Sequence, residues 1–373
     1  MTSSGTSRPM RVLMLTNMYP SAIEPGYGSF VERQKHDLER AHGVRVRLVS
    51  SSRRGGRALS NLVKYVELLG KTLAETLRGD YDLVHAHYLL PVAAFALIPS
   101  AVRRKPLVIT AHGTDIYSGL RPRWKPWIVR ALGRACRIIV VSQFLAGQLV
   151  ENFGVQTPPG REIVIANMGV DTELFVPGDT DSLKVASGLP ADVPHLLFVG
   201  NFVEQKGVTD LARALVLLSE RGVSFRATLL GHGPEMTEVR EVTAPLGELV
   251  AFREVVPHEQ LVDVFRSADL FVLPSRREGV GLLVCLESLS CGVPVVCGRA
   301  GGLPEIVRDG ENGVLFEPGD PAGIADAIQG LLEDPDELAR LVGAARPSAL
   351  PYSEAEQAEK VYRVYQECAG SSA

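Results

Sequence analysis

Short apolar runs that end at glycine or a small polar residue, separated by helix-length segments, recur along this chain and constrain its fold more than any other feature. In the first half they are RVLMLTN (Arg11–Asn17), VRVRLVS (Val44–Ser50), DLVHAH (Asp82–His87), PLVITAHGTD (Pro106–Asp115), RIIVVS (Arg137–Ser142) and EIVIANMG (Glu162–Gly169). Between the first two, FVERQKHDLERA carries Phe30, Val31, Gln34, Leu38 and Ala41 near helical spacing and closes at Gly43. Strands alternating with helices imply βαβ units and a parallel sheet.

Residues 176–193 interrupt the rhythm with four prolines or glycines and three aspartates and read as a linker. The pattern then restarts with HLLFVGN (His195–Asn201), FRATLLGHG (Phe225–Gly233), LVAFRE (Leu249–Glu254), DLFVLPS (Asp269–Ser275) and PVVCG (Pro294–Gly298), with helices expected across Leu211–Arg221 and Leu282–Ser290. A chain of 373 residues exceeds what one hydrophobic core usually serves. The expected fold class is therefore α/β, two Rossmann-like doubly wound domains. Residues 1–175 form the first, 194–350 the second, and 351–373 a closing helix free to pack on either. Open parallel sheets bind ligands where their strands end, so the two domains are expected to face one another across a ligand cleft.

Cys136, Cys285, Cys291, Cys297 and Cys368 show neither a CxxC pair nor histidines at metal-ligand spacing, so buried reduced thiols are expected, with no metal and no cofactor. The opening MTSSGTSRPM lacks an apolar core of the signal-peptide kind, and the expected location is the cytoplasm. The net charge of −4 hides an asymmetry: residues 1–175 carry 23 Lys and Arg against 13 Asp and Glu, whereas residues 176–373 carry 16 against 30. A basic first half suits an anionic partner or a membrane surface as well as a plain solvated face. RPRWKPW (Arg121–Trp127), mixing cations with indoles, suits either peripheral membrane contact through the first domain, on the inner face of the membrane, or a packed irregular loop; nucleic acid is not an expected partner.

Chemistry should sit on the strand-ending loops. After Gly200 and Asn201 comes Lys206, at a strand-to-helix turn where backbone N–H groups and an ammonium suit a diphosphate. The spacing is not that of a Walker loop, and no GxGxxG follows the first strand, so a nicotinamide dehydrogenase is poorly supported. Gly231, in LLGHGPE, lets backbone approach a ligand, as any tight turn would. In PSRREGVGLLVCLESLSCGVP (Pro274–Pro294), Glu278 with Gly279 and Gly281 lies on a loop, and Glu287 lies on the helix that follows. Carboxylates accept hydrogen bonds from sugar hydroxyls and suit phosphate badly.

GNFVEQKGV, LLGHGP, VPHEQLVDVFRSADLFVLPS, REGVGLLVCLESLSCGVPVV and GGLPEIVRDGENGVLF resemble, in order and spacing, the donor-site motifs of glycosyltransferase family 4, a retaining family of the GT-B fold. NMYPSAIEPGYGSFVERQ, DLVHAHYLLP and ITAHGTD look like its bacterial teichuronic-acid and exopolysaccharide branch. The resemblance implies a metal-independent hexosyltransferase using a nucleotide-sugar, expected to be UDP-linked, and a carbohydrate, lipid-linked or small-molecule acceptor. It implies that Lys206 binds the diphosphate and Glu287 the ribose hydroxyls, and that Glu278 contacts the transferred sugar. Backbone from Gly279 through Gly281 and Leu282 to Leu283 lies near sugar and phosphate, and Phe252 and Arg253 edge the base. Gly26 and Gly28 line the phosphate side. His112 reaches the sugar; with Lys206 and Glu278 it completes the expected catalytic set, as a positioning group or as a base. His87 and Asp115 are expected on the acceptor side.

Two departures stand out. Asn201 occupies a position where the family carries arginine, leaving Arg276 or Arg277 as a substitute cation, and eight residues separate Glu278 from Glu287 where the family has seven. A GT-B-type sugar-nucleotide 2-epimerase and a catalytically weak sugar-nucleotide-binding partner are the alternative readings.

Overall fold

The apolar runs become the strands of two six-stranded sheets in which every neighbouring pair is parallel. The computed structural model describes residues 8–21, 27–51, 58–113, 115–116, 120–158, 161–277 and 282–370. The chain divides into two units, residues 1–168 with 354–373 and residues 169–353.

In the first unit β1 (Arg11–Thr16), α1 (Ser29–His42), β2 (Arg45–Ser50), α2 (Ala58–Arg78), β3 (Leu83–His87) and α3 (Ala94–Arg103) are followed by β4 (Leu107–Ala111), α4 (Lys125–Arg134), β5 (Arg137–Val140), α5 (Gln143–Phe153) and β6 (Ile163–Ile165). The strand order β2-β1-β3-β4-β5-β6 reverses direction at β1, which puts the switch point between the ends of β1 and β3. β3 and β4 are buried along their whole length, which explains why they read as continuous apolar runs with no alternation.

The second unit runs α6 (Thr180–Ala186), β7 (His195–Val199), α7 (Val208–Glu220), β8 (Arg226–Leu230), α8 (Met236–Thr243), β9 (Val250–Arg253), α9 (Leu261–Arg266) and β10 (Leu270–Leu273). It continues with α10 (Leu282–Ser290), β11 (Val295–Gly298), α11 (Leu303–Ile306), β12 (Gly313–Phe316), α12 (Pro321–Glu333) and α13 (Pro335–Ala349). Its order, β12-β11-β10-β7-β8-β9, sets the switch between β7 and β10. The loops that follow those two strands carry Lys206 and the stretch beginning at Pro274.

The last helix, α14 (Glu354–Gly370), returns to the first unit. Its Val361, Val364 and Tyr365 pack with Val31 and Leu38 of α1 and with Val12, Met14, Leu83, Val108 and Ile139 of the sheet. Arg33 pairs with Glu354 at 3.0 Å, and the Gln357 side chain accepts from the Asn167 backbone N–H at 3.0 Å.

Two expectations are corrected. Residues 176–193 are not a bare linker: Asp179 caps α6 by accepting from Ser182, and the buried Lys184 ammonium lies 2.7 Å from Asp269, tying the segment into the second unit. The cysteines are not all reduced: Cys136 and Cys368 form a disulfide joining the start of β5 to α14, while Cys285, Cys291 and Cys297 are buried free thiols. These two cysteines lie 232 residues apart in sequence, so proximity in the chain carries no hint of the pair. Among the described residues no helix is long and apolar enough to cross a membrane.

Val361 is fully buried between α1 and the sheet, so Val361→Asp would place an unpaired carboxylate in that core. We expect a loss of about 4 kcal/mol or more in the first unit. Calorimetry should show its transition falling steeply while that of the second unit stays in place.

Candidate nucleotide-sugar site

In the second unit three strand ends are sewn together by backbone. The Gly200 N–H donates to Leu230 O at 3.0 Å, the Gly231 N–H to Arg253 O at 3.0 Å, and the Phe202 N–H to His232 O at 2.8 Å. Gly231 has φ +145°, and a Cβ there would lie 1.9 Å from Gly200 O, so no other residue lets these ends approach. Gly200, Asn201, Gly231 and Arg253 therefore lie along one edge. Beside them a shallow recess is walled by Gly231, Phe252, Arg253 and Glu254, with Arg240 stacked 4.3 Å from the Phe252 ring centroid.

Lys206 closes a short turn, Glu204–Lys206, that runs through Gly207 (φ +63°) into α7, whose N-terminus no side chain caps. A Cβ on Gly207 would meet Pro274 O at 2.0 Å, and the Arg276 N–H donates to Gln205 O at 2.9 Å. The Lys206 turn is thus bolted to the end of β10, at the switch point. Arg276 is not a spare cation for the position of Asn201: its guanidinium makes two 2.7 Å bonds to the buried Asp210 of α7.

Leu282, Leu283 and Glu287 lie on α10; Gly26, Glu278, Gly279 and Gly281 lie outside the described residues. Glu287 is buried, and its Oε1 sits 2.7 Å from Nε2 of His258, whose ring packs edge-on against Phe175 at 5.1 Å. His258, the partner of Glu287, is a residue that the motif reading passed over. It lies in VPHEQ, a stretch quoted for its resemblance with no chemistry attached.

The remaining expected residues gather in the first unit. Gly28 (φ +78°) caps α1, and a Cβ there would lie 2.6 Å from the Met18 carbonyl, so the loop after β1 is pinned where α1 begins. Phe30, on the first turn of α1, puts its ring 4.9 Å from that of His112. His87 Nδ1 lies 3.2 Å from His112 Nε2, while His87 Nε2 and His112 Nδ1, both buried, have no hydrogen-bond partner among the described residues. His85, one pleat back, is held between Tyr365 Oη of α14 at 2.7 Å and Thr110 Oγ1 at 2.8 Å. Lys64, buried on α2, contacts Tyr27 Oη at 3.1 Å; it is a second residue the motifs did not mark.

Asp115, expected on the acceptor side, is held as a loop anchor. Its buried carboxylate accepts from the Leu89 N–H at 2.9 Å, the His112 N–H at 3.1 Å and the Gly113 N–H at 2.9 Å. Burial raises its pKa, and those N–H groups oppose the rise. It fixes the turn that carries His112 and binds Tyr88, at φ +81°, into the same knot.

Burial holds all three histidines neutral. It lowers His87 from 6.5 to about 3 and drives His85 and His112 well below their ordinary value, with neighbouring histidines adding to the effect on those two. A histidine so reluctant to take a proton is a weak base, and the two unpartnered nitrogens suit hydrogen bonding to a ligand better than proton abstraction. The unfolded chain binds protons at these sites below about pH 6.5 and the folded chain does not, so their contribution to stability is complete above that pH and is lost progressively toward pH 3. We expect thermal melts of the first unit to fall steeply across this window, and His87→Asn to flatten the slope.

Two family descriptions match adjacent stretches: Glycosyltransferase Family 4 over residues 10–174 and Glycosyl transferases group 1 over residues 179–347. The chain is 33% identical over 320 residues to D-inositol 3-phosphate glycosyltransferase 1 of Catenulispora acidiphila, spanning 80% of this chain and 75% of that protein. It is 29% identical to the GDP-mannose-dependent alpha-(1-6)-phosphatidylinositol monomannoside mannosyltransferase of Mycolicibacterium smegmatis, over 91% of this chain and 94% of the other. Among solved structures, Anabaena Alr3699/HepE in complex with UDP superposes with a TM-score of 0.76 at 19% identity, covering 96% of this chain and 99% of that chain. The two curated relatives carry inositol 3-phosphate and phosphatidylinositol monomannoside in their names, so the narrower teichuronic-acid and exopolysaccharide assignment finds no support in them. With two α/β units, each built on a parallel sheet, with both family descriptions matched and with relatives along most of its length, this chain belongs to glycosyltransferase family 4 and is a hexosyltransferase.

Proposed function

We propose that this enzyme transfers a hexose, with retention of configuration, from a UDP-linked sugar to an inositol-bearing phosphate acceptor, free or lipid-linked, on the cytoplasmic side. The observation that carries the donor half is the backbone seam of Gly200, Gly231 and Gly207 at the β7/β10 switch, with Lys206 at its edge. Such a seam brings an ammonium and the uncapped N-terminus of α7 to one diphosphate, where leaving-group charge develops. Glu287 faces the ribose hydroxyls in this reading, and His258 orients its carboxylate.

The acceptor half follows the names of the relatives, which are those of inositol phosphate and phosphatidylinositol mannoside glycosyltransferases. Those names also leave the epimerase reading without support. The neutral His87 and His112 supply positioning hydrogen bonds in this mechanism, and the departing diphosphate takes the acceptor proton. The donor base is argued from the recess at Phe252 and Arg253, and the UDP-bound neighbour supports it through the shared fold alone.

Transfer assays pairing UDP- and GDP-hexoses with inositol 3-phosphate test the reading; turnover confined to GDP donors, or none with any inositol phosphate, overturns its donor or acceptor half. Lys206→Ala should weaken UDP binding about tenfold or more, the worth of one hydrogen bond to a charged group. Unchanged affinity by calorimetry removes Lys206 from the diphosphate site. The wild type should prefer UDP to its 2′,3′-dideoxy analogue, and Glu287→Ala should bind the two alike.

A further inference from the structure

α2 is built inside out. On a helix of 3.6 residues per turn, Leu62, Val66, Leu73 and Leu77 fall within about 60° of one another. They are 60%, 61%, 45% and 79% exposed. The face turned to the protein instead holds Lys64, Leu68, Thr72 and Thr76, none more than 4% exposed. The two threonines satisfy their hydroxyls on the helix itself, Thr72 donating to Leu68 O at 2.8 Å and Thr76 to Thr72 O at 2.7 Å. An amphipathic helix that hid its apolar side would show the reverse pattern. A contiguous apolar stripe in water is a cost unless something covers it.

The neighbouring surface indicates what does. α3 packs against both α2 and α4, so the three helices form one layer over the sheet. Val102 of α3 is 65% exposed, and Trp124 and Trp127, at the start of α4, are exposed as well. Around the indoles stand the exposed cations Arg121, Arg123, Lys125, Arg130 and Arg134. From Leu83 to Val150 the sequence has nine lysines and arginines and a single carboxylate, Asp115, which is buried. The acidic side chains on α2, Glu67 and Glu75, are engaged by Lys71, Arg78 and Arg47. Exposed leucines, indoles and uncompensated cations in one layer match an anionic bilayer: acyl chains for the stripe, the interfacial region for the tryptophans and lipid headgroups for the cations.

We propose that the α2–α3–α4 layer is a membrane-docking surface that recognises anionic lipid, inserting the outward stripe of α2 and reading headgroup charge with α4. This inference does not rest on the donor or acceptor reading. The test is cosedimentation of the full chain with vesicles of phosphatidylcholine alone and of phosphatidylcholine with phosphatidylglycerol. Binding should require phosphatidylglycerol and weaken with salt. The double variants Leu73→Ser with Leu77→Ser, and Arg130→Glu with Arg134→Glu, should each lower it about tenfold or more while UDP affinity and melting temperature hold. Absence of wild-type binding, equal binding to neutral vesicles, or variants that bind like the wild type would overturn the proposal. So would a dimer in sedimentation velocity that the leucine variant dissociates, which would give the stripe to a second copy of the chain.

Discussion

A parallel strand covered by helices on both faces has no solvent edge, so any polar chemistry it carries must appear where it ends or be satisfied inside. Both units obey this constraint. In the second, the strands β7 to β10 are apolar or internally bonded, and the residues proposed for the donor, Gly200, Gly231, Arg253 and the stretch from Pro274, stand at or just past the strand ends. His195 is the buried exception at a strand start, and it is closed off by the Ser267 carbonyl and the Thr228 hydroxyl. In the first unit β3 carries two histidines within the sheet. His85 is satisfied on both nitrogens, whereas His87, nearer the end, keeps one nitrogen unpartnered among the described residues. The difference between a fully bonded and a half-bonded histidine here is one pleat along a strand.

The same constraint governs the glycines. Gly207 and Gly231 are required because backbone from another strand end occupies the space of a side chain, at 2.0 and 1.9 Å from the Cβ position. The same closeness recurs where strands pack elsewhere, as at Gly313, whose Cβ position lies 2.2 Å from Val295 O. Along the helices, glycines such as Gly330 and Gly343 meet nothing within 4 Å.

Much of this was legible in the sequence, because strand identity depends on local apolar runs and the donor motifs are contiguous. The edge formed by Gly200, Asn201, Gly231 and Arg253 follows directly from reading where runs stop. What escaped depends on partners distant in the chain. Arg276 looked available until Asp210, 66 residues earlier, was found holding it. Asp115 reads in sequence as an acceptor-side residue, and only the fold shows its carboxylate bonded to N–H groups of its own loop and of Leu89. His258 and Glu287 lie 29 residues apart, and only the fold of α9 and α10 brings them together. The inverted α2 was in plain view as a periodic pattern, but periodicity alone does not say which face turns inward.

The return of α14 to the first unit makes the order of synthesis differ from the order of completion. A ribosome releases all of Gly169–Ser353 before Val361, Val364 and Tyr365 emerge, so the second unit has its full sequence while the first still lacks the helix that covers Val12, Met14 and Val108. Domains generally fold as units as the chain emerges. Here the domain made first is the last to be finished, and its sheet must wait, one face uncovered, for the final residues of the chain.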